Sequence, residues 1–271
     1  MNKALAVSFP KYWEVAKVNY LNSTTYLTNV LARSATVVFR IWIFTQLYRV
    51  TYAVSGVFSI GQMTVPMVIW TLMFTQGFQT ATRPGVVRLI DEEVKSGSLA
   101  YSLNRPYSYL LFHYFSQLGR ILPVLLTNMA IGILAALVLI GPINVTLNGV
   151  LAGSLLLFFG YSLDFLISFI LGLTAFWVED TSAFNWIYQK GQMVFGGNIL
   201  PLALFPAGLR NIAELSPFSQ LFYGSAQIIV NFDIETFLKF LTVQLFWIVL
   251  FALIAGYLFK KGGKNVSING G

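Results

Sequence analysis

The chemistry open to this chain is narrow. Its 271 residues hold ten Asp and Glu, one histidine (His113) and no cysteine. Without cysteine there is no disulfide, no Cys-ligated zinc and no thiol nucleophile, and a single histidine cannot supply a His-based metal cluster. No Gly-x-x-x-x-Gly-Lys-Ser/Thr occurs, so no P-loop cradles a nucleotide phosphate; Gly263-Lys264 lacks both the upstream glycine and the following hydroxyl. A Gly-x-Ser-x-Gly elbow and a helical histidine pair are also missing. Two carboxylate sites remain. Asp91, Glu92 and Glu93 stand together in a polar stretch, and Asp164 stands alone in an apolar one.

An ionisable residue inside an apolar span faces the bundle interior or water. Asp164 therefore either lines a substrate path or carries a proton, or it pairs with Arg33 or Arg40 and orients two helices. At ~1.5 Å per residue, its depth falls between those of the two arginines, which favours the structural pair. Gln46, Gln62, Gln76 and Gln79 sit in neighbouring apolar runs, where glutamines commonly bond helix to helix.

These residues must be positioned by membrane helices. The chain is 56% hydrophobic and only 10% charged, against about 25% charged in a soluble domain. The fold class expected is all-α and polytopic, a single transmembrane domain over 1–271. Its spans are expected at roughly 24–48, 57–82, 121–141, 148–177, 185–204 and 237–259. Residues 5–22 read as an amphipathic helix in the headgroup plane, with Phe9, Trp13, Ala16 and Tyr20 recurring at helical spacing. Residues 109–120 (YLLFHYFSQLGR) are apolar but end at Arg120 and are expected at the interface. Between the last two spans, Pro206, Gly208, Pro217 and Gly224 interrupt a semi-apolar stretch. Two short helices are expected there, at 207–215 and 217–230, the second opened by Ser216-Pro217. They would dip into the membrane from one side.

The first residues show no apolar core with a cleavage site, so no signal peptide is expected. The net charge of +7 comes from residues flanking apolar runs, which points to topology control and anionic lipid headgroups rather than nucleic acid. Lys3, Lys11, Lys17, Arg83, Arg88, Lys95, Arg105, Lys190, Lys260, Lys261 and Lys264 fall on one side, against Arg49, Arg210 and Lys239 on the other. The basic side is expected to be cytoplasmic and to hold both termini.

The polar stretch 84–106, PGVVRLIDEEVKSGSLAYSLNRP, has two helical pieces broken at Ser96-Gly97. Pro84 sets the first, Ser98 caps the second, and Arg105-Pro106 stops it. Apolar residues in a charged frame suit a docking surface; a solvated loop is the plainer alternative. Glu93-Val94-Lys95-Ser96-Gly97-Ser98-Leu99, with Leu103 and Arg105-Pro106, resembles the acid-x-basic-Ser-Gly-x-Leu…Leu-x-basic-Pro segment of type 2 ABC exporter permeases. The small bacterial six-span permeases encoded beside a separate ATPase are the nearest group. Phe176-Trp177-Val178-Glu179-Asp180 is similar to that group's Phe-Trp-x-Glu-Asp. Leu200-Pro201, Leu204-Phe205-Pro206, Leu209-Arg210 and Pro217-Phe218 are similar to its segment after span 5.

The resemblance implies a permease without its own ATPase site and without a cofactor of its own. ATP and Mg would be bound by separate P-loop ATPase subunits, and a second permease subunit, identical or related, would complete the pathway in a bacterial cytoplasmic membrane. Residues Asp91 to Arg105, including Glu92, Glu93, Lys95, Ser96, Gly97, Leu99 and Leu103, would form the ATPase-coupling helix. Pro201, Pro206, Pro217 and Phe218 would belong to re-entrant helices closing the outer exit. Two rival classes stay open on the residues alone: a secondary transporter or channel using Asp164, and a membrane-embedded lipid-modifying enzyme.

Overall fold

A computed structural model describes residues 9–25, 27–82 and 85–269, with side chains for 10–24, 35–82 and 85–262. It contains no β-strand among these residues. In chain order the helices are α1 (Phe9–Thr25), α2 (Leu27–Ser55), α3 (Val65–Ala81), α4 (Val86–Lys95), α5 (Leu99–Leu103), α6 (Tyr109–Leu139), α7 (Leu147–Leu173), α8 (Ser182–Phe195), α9 (Ala207–Leu215), α10 (Tyr223–Val230) and α11 (Ile234–Asn269).

Among the described residues, three stretches are long and apolar enough to cross a bilayer: Tyr109–Leu139, Leu147–Phe176 and Ile234–Gly262. A crossing takes ~20 apolar residues. α3 has 17 residues, the short limit of a crossing, and α8 has 14, which falls below it. The span expected at 185–204 ends early because Gly196 caps α8 and Gly197 turns the chain at a φ of 67°. Residues 109–120 differ from expectation in the other sense. They form the first turns of α6, which runs unbroken through Arg120 and Pro123. The Ser216-Pro217 signal also resolves differently. Ser216 ends α9, its hydroxyl donating to the Ala213 carbonyl at 2.7 Å, and the next helix starts only at Tyr223.

α7 is the axis of the molecule, packed by α4, α10 and α11, while α6 carries α1, α2 and α3. Close approach of α7 to the segment before α10 requires a residue without a side chain: a Cβ on Gly160 would collide with the Leu221 carbonyl. The N-terminal helix meets the rest of the chain along one stripe. Its buried stripe is Tyr12 and Ala16, whereas Trp13 is exposed. The Tyr12 ring stacks on Phe115, its hydroxyl accepts from the Ser108 backbone N–H at 2.8 Å, and the Ala16 backbone rests on Gly119.

Candidate functional site

Polar side chains from α2, α3, α7 and α8 converge on one network. Asp164 Oδ1 accepts from the Tyr188 hydroxyl at 2.7 Å and from Gln192 Nε2 at 2.9 Å. The Gln192 Oε1 accepts from Gln79 Nε2 at 3.0 Å, and its carbonyl accepts from Asn198 Nδ2 at 2.8 Å. Gln76 Nε2 donates to the Asn198 carbonyl at 2.5 Å, and Gln76 Oε1 accepts from Arg40 Nη1 at 2.8 Å. Arg40 thus reaches this network through Gln76 rather than by an ion pair with Asp164. The Arg33 side chain lies outside the described residues.

Why the chain folds this way follows from what a bilayer offers. Apolar surface gives helices no reason to associate in lipid, so packing of small residues and interhelical hydrogen bonds take over. Tyr188 and Gln192 lie four apart on α8 and so share a face. That face meets Asp164, while Phe184, Trp186 and Ile187 stay exposed. Beside the network opens a cleft of about 500 Å³, lined by Thr36, Thr80, Thr82, Ser168, Asn185 and Gln189 together with Asp164, Tyr188 and Gln192. Arg88 stands in its lining too, paired with Glu92 at 2.7 Å. The cleft can hydrogen-bond a polar solute at many points, with few fixed charges. Asp164 and Gln76 were legible from sequence. Tyr188, Gln192 and Asn198 were missed, though the Tyr-x-x-x-Gln spacing was the signal to look for.

The second site is the bent hairpin α4–α5, joined to the cleft through Gly85, Val87 and Arg88. Val86, Ile90 and Leu99 are buried against Phe165, Phe169, Leu173 and Ala255, and Val87 is buried where it lines the cleft. Each such burial is worth about 1.5–3 kcal/mol relative to water. The three acids do not share one free face. Asp91 pairs with Lys95 at 2.7 Å and Glu92 with Arg88. Glu93 turns inward, accepting from the Tyr109 hydroxyl at 2.6 Å with His113 Nε2 3.8 Å away. Leu99, placed among the docking residues, faces the interior, and Leu103 is half-buried. Ser98 does not cap α5 with its side chain; its hydroxyl meets that of Ser96 at 2.8 Å. Gly97 makes the bend at a φ of 71°, a conformation glycine adopts without strain. The exposed head of the hairpin is Ser96, Gly97, Ser98, Tyr101 and Arg105, with the Arg105 guanidinium 4.6 Å over the Tyr101 ring. Hydrogen bonds that Arg105 donates to Tyr107 and Tyr101 raise its already high pKa. Arg83 and Pro84 lie outside the described residues.

A family model described as ABC-2 family transporter protein matches residues 34–270. The chain belongs to the ABC-2 transporter family. No curated protein matches it. As an ABC-2 permease it is the membrane subunit of an ABC transporter, and the ATPase domain resides in a partner subunit.

The third group of expected site residues lies at the opposite end of the permease. Pro201 precedes the 3₁₀ turn Leu202–Leu204 and Pro206 precedes α9. Phe218, beyond Pro217, packs on Gly191 of α8, its ring centroid 6.0 Å from that of Tyr188 and 6.3 Å from that of Phe195. Glu214 is buried between Arg210 Nε at 2.6 Å and Lys239 Nζ at 2.5 Å. Burial pushes its carboxyl pKa up, but the hydrogen bonds from Arg210 and Lys239 outweigh it and hold it below the ordinary value. These residues share one region with the end of α8, but not with Asp164's cleft.

Proposed function

We propose that this ABC-2 permease is the membrane half of an ATP-driven exporter, and that its ATPase grips the α4–α5 hairpin. The observation that carries this reading is the hairpin's construction. Its inner face is locked to α7 and α11 by Val86, Ile90 and Leu99, while its head presents Tyr101 and Arg105 outward. A rigid lever that is buried at one side and exposed at the other passes a partner's movement to the helices it sits on. Gly85, Val87 and Arg88 belong to that lever and also line the Asp164 cleft, so a tilt of α4 changes the cleft directly.

In this reading ATP and Mg are bound by separate P-loop ATPase subunits. α2, α3, α6, α7, α8 and α11 make six crossings in a bacterial cytoplasmic membrane, with both termini and the hairpin cytoplasmic. The short α8 reaches the far side through the irregular segment 196–204, which protein must cover at membrane depth. The cleft is open, and the flanking helices α2 and α8 turn Phe39, Trp42, Trp186 and Ile187 outward. A second permease, identical or related, closes the pathway across those faces. The segment with Pro201, Pro206, Pro217 and Phe218 closes the outer exit. Asp164 holds α7 to α8 and lines the inner vestibule.

Co-expression with the ATPase encoded beside it tests the proposal. A stable complex that hydrolyses ATP, from a permease that alone hydrolyses none, is the expected result. Transport by the lone chain driven by a proton gradient would instead make it a secondary transporter built on Asp164.

A further inference from the structure

The groove where α1 meets the end of the hairpin shares Arg105 with the hairpin's exposed head and is otherwise built from α1, Tyr107 and the start of α6. It is about 300 Å³ in volume and is lined by Lys11, Tyr12, Val15, Arg105, Tyr107 and Phe112, with Pro106 at its edge. Two cations face it and no carboxylate does among the described residues. Glu14, the acid of α1, does not line the groove, and its carboxylate lies 4.0 Å from Lys17 Nζ. Arg105 is held in place rather than paired, its Nη1 donating to the Tyr107 hydroxyl at 2.9 Å. The floor is aromatic: Tyr107 stacks on Phe112 with ring centroids 4.9 Å apart. The position is that of a membrane surface, between an aromatic and lysine-bearing helix and the first turn of the membrane-crossing α6.

We infer that this groove seats the headgroup of an anionic phospholipid, its phosphate between Lys11 and Arg105 and its glycerol end over Tyr107 and Phe112. A phosphate neutralises both cations at once, and basic residues beside a span draw anionic lipid to the cytoplasmic leaflet. Amphipathic aromatic rings suit the headgroup level. The inference rests on the chain being a membrane protein and not on the export reading. Its consequence is that a lipid braces α1 against the hairpin, since Tyr12 already ties α1 to Ser108.

Native mass spectrometry of the full-length permease in detergent, with phosphatidylglycerol or phosphatidylcholine added, tests this. The wild-type chain is expected to keep phosphatidylglycerol adducts several-fold more than phosphatidylcholine adducts. Lys11→Gln should lose that preference, Lys11→Arg should restore it, and Lys17→Gln on the other side of α1 should keep it. An unchanged preference in Lys11→Gln would overturn the site. Displacement of the lipid by millimolar inorganic phosphate alone would make it a free-anion site and overturn the lipid assignment. No adduct on the wild type, with Lys11 instead cross-linking to an acidic residue of the ATPase, would reassign the groove to a protein partner. Because the readout is lipid bound to the permease alone, it stands or fails apart from ATP coupling.

Discussion

Asp164 gathers two donors from α8, and that decides what its replacement does. Asp164→Leu leaves the Tyr188 hydroxyl and the Gln192 amide without this acceptor in a buried setting. Each orphaned group costs about 1–3 kcal/mol. The purified variant should unfold several degrees below the wild type in detergent, and Asp164→Asn, which keeps an acceptor oxygen, should fall in between. Equal melting of all three would show that the network carries no stability. Glu214 supplies a pH dependence. Its carboxyl is depressed below the ordinary value of about 4.3, so its ionised form stabilises the fold above that value. The stabilisation is lost as pH falls through the lower, folded value. Acidification through that folded value should loosen the tie from α9 to α11. Glu214→Gln should melt lower than wild type at neutral pH and lose less on acidification, measured by thermal unfolding at the two pH values.

At the scale of elements, the apolar periods and the breakers carried most of the architecture. The long α6, α7 and α11 are plain in composition, and Pro206 opens α9 where expected, although Ser216 ends that helix instead of opening the next. What stayed hidden depended on partners distant in the chain. Arg120 looked like the end of an interfacial piece, yet α6 passes through it because neighbouring helices half-bury it. The helical spacing of Trp13 and Ala16 did not say which residues of α1 meet the rest of the chain, and Gly119 and Phe115 select Ala16 and Tyr12. The acids of α4 looked equivalent, and only the nearness of Tyr109 and His113 singles out Glu93. The hairpin's rigidity can be tested through its bend and its root. Gly97→Val forces a β-branched side chain into the left-handed region, at about 1–2 kcal/mol. Ile90→Ala empties a buried position between α4 and Gly172, at about 2–5 kcal/mol. Both should keep ATPase binding while lowering substrate-coupled turnover, measured as transport per ATP hydrolysed. Normal coupling in both would mean that the hairpin need not be stiff.

At the scale of the whole molecule, one chain leaves an open polar cleft beside two exposed apolar helix faces. The proposed second permease would cover both features. Trp186→Glu and Trp42→Glu place a charge on those faces and should convert the detergent-solubilised dimer to monomer, read by light scattering coupled to gel filtration. The absence of cysteine gives the central claim a clean test, because any introduced thiol is the only one in the chain. Tyr101→Cys puts it on the hairpin's exposed head, and Asn144→Cys puts it on the turn between α6 and α7 at the opposite end of α6. Oxidative cross-linking of each variant to the co-expressed ATPase, carrying single cysteines on its surface, is the most direct measurement. The account predicts a disulfide-linked permease–ATPase band from Tyr101→Cys and none from Asn144→Cys. A band from the Asn144 variant with none from the Tyr101 variant would contradict it.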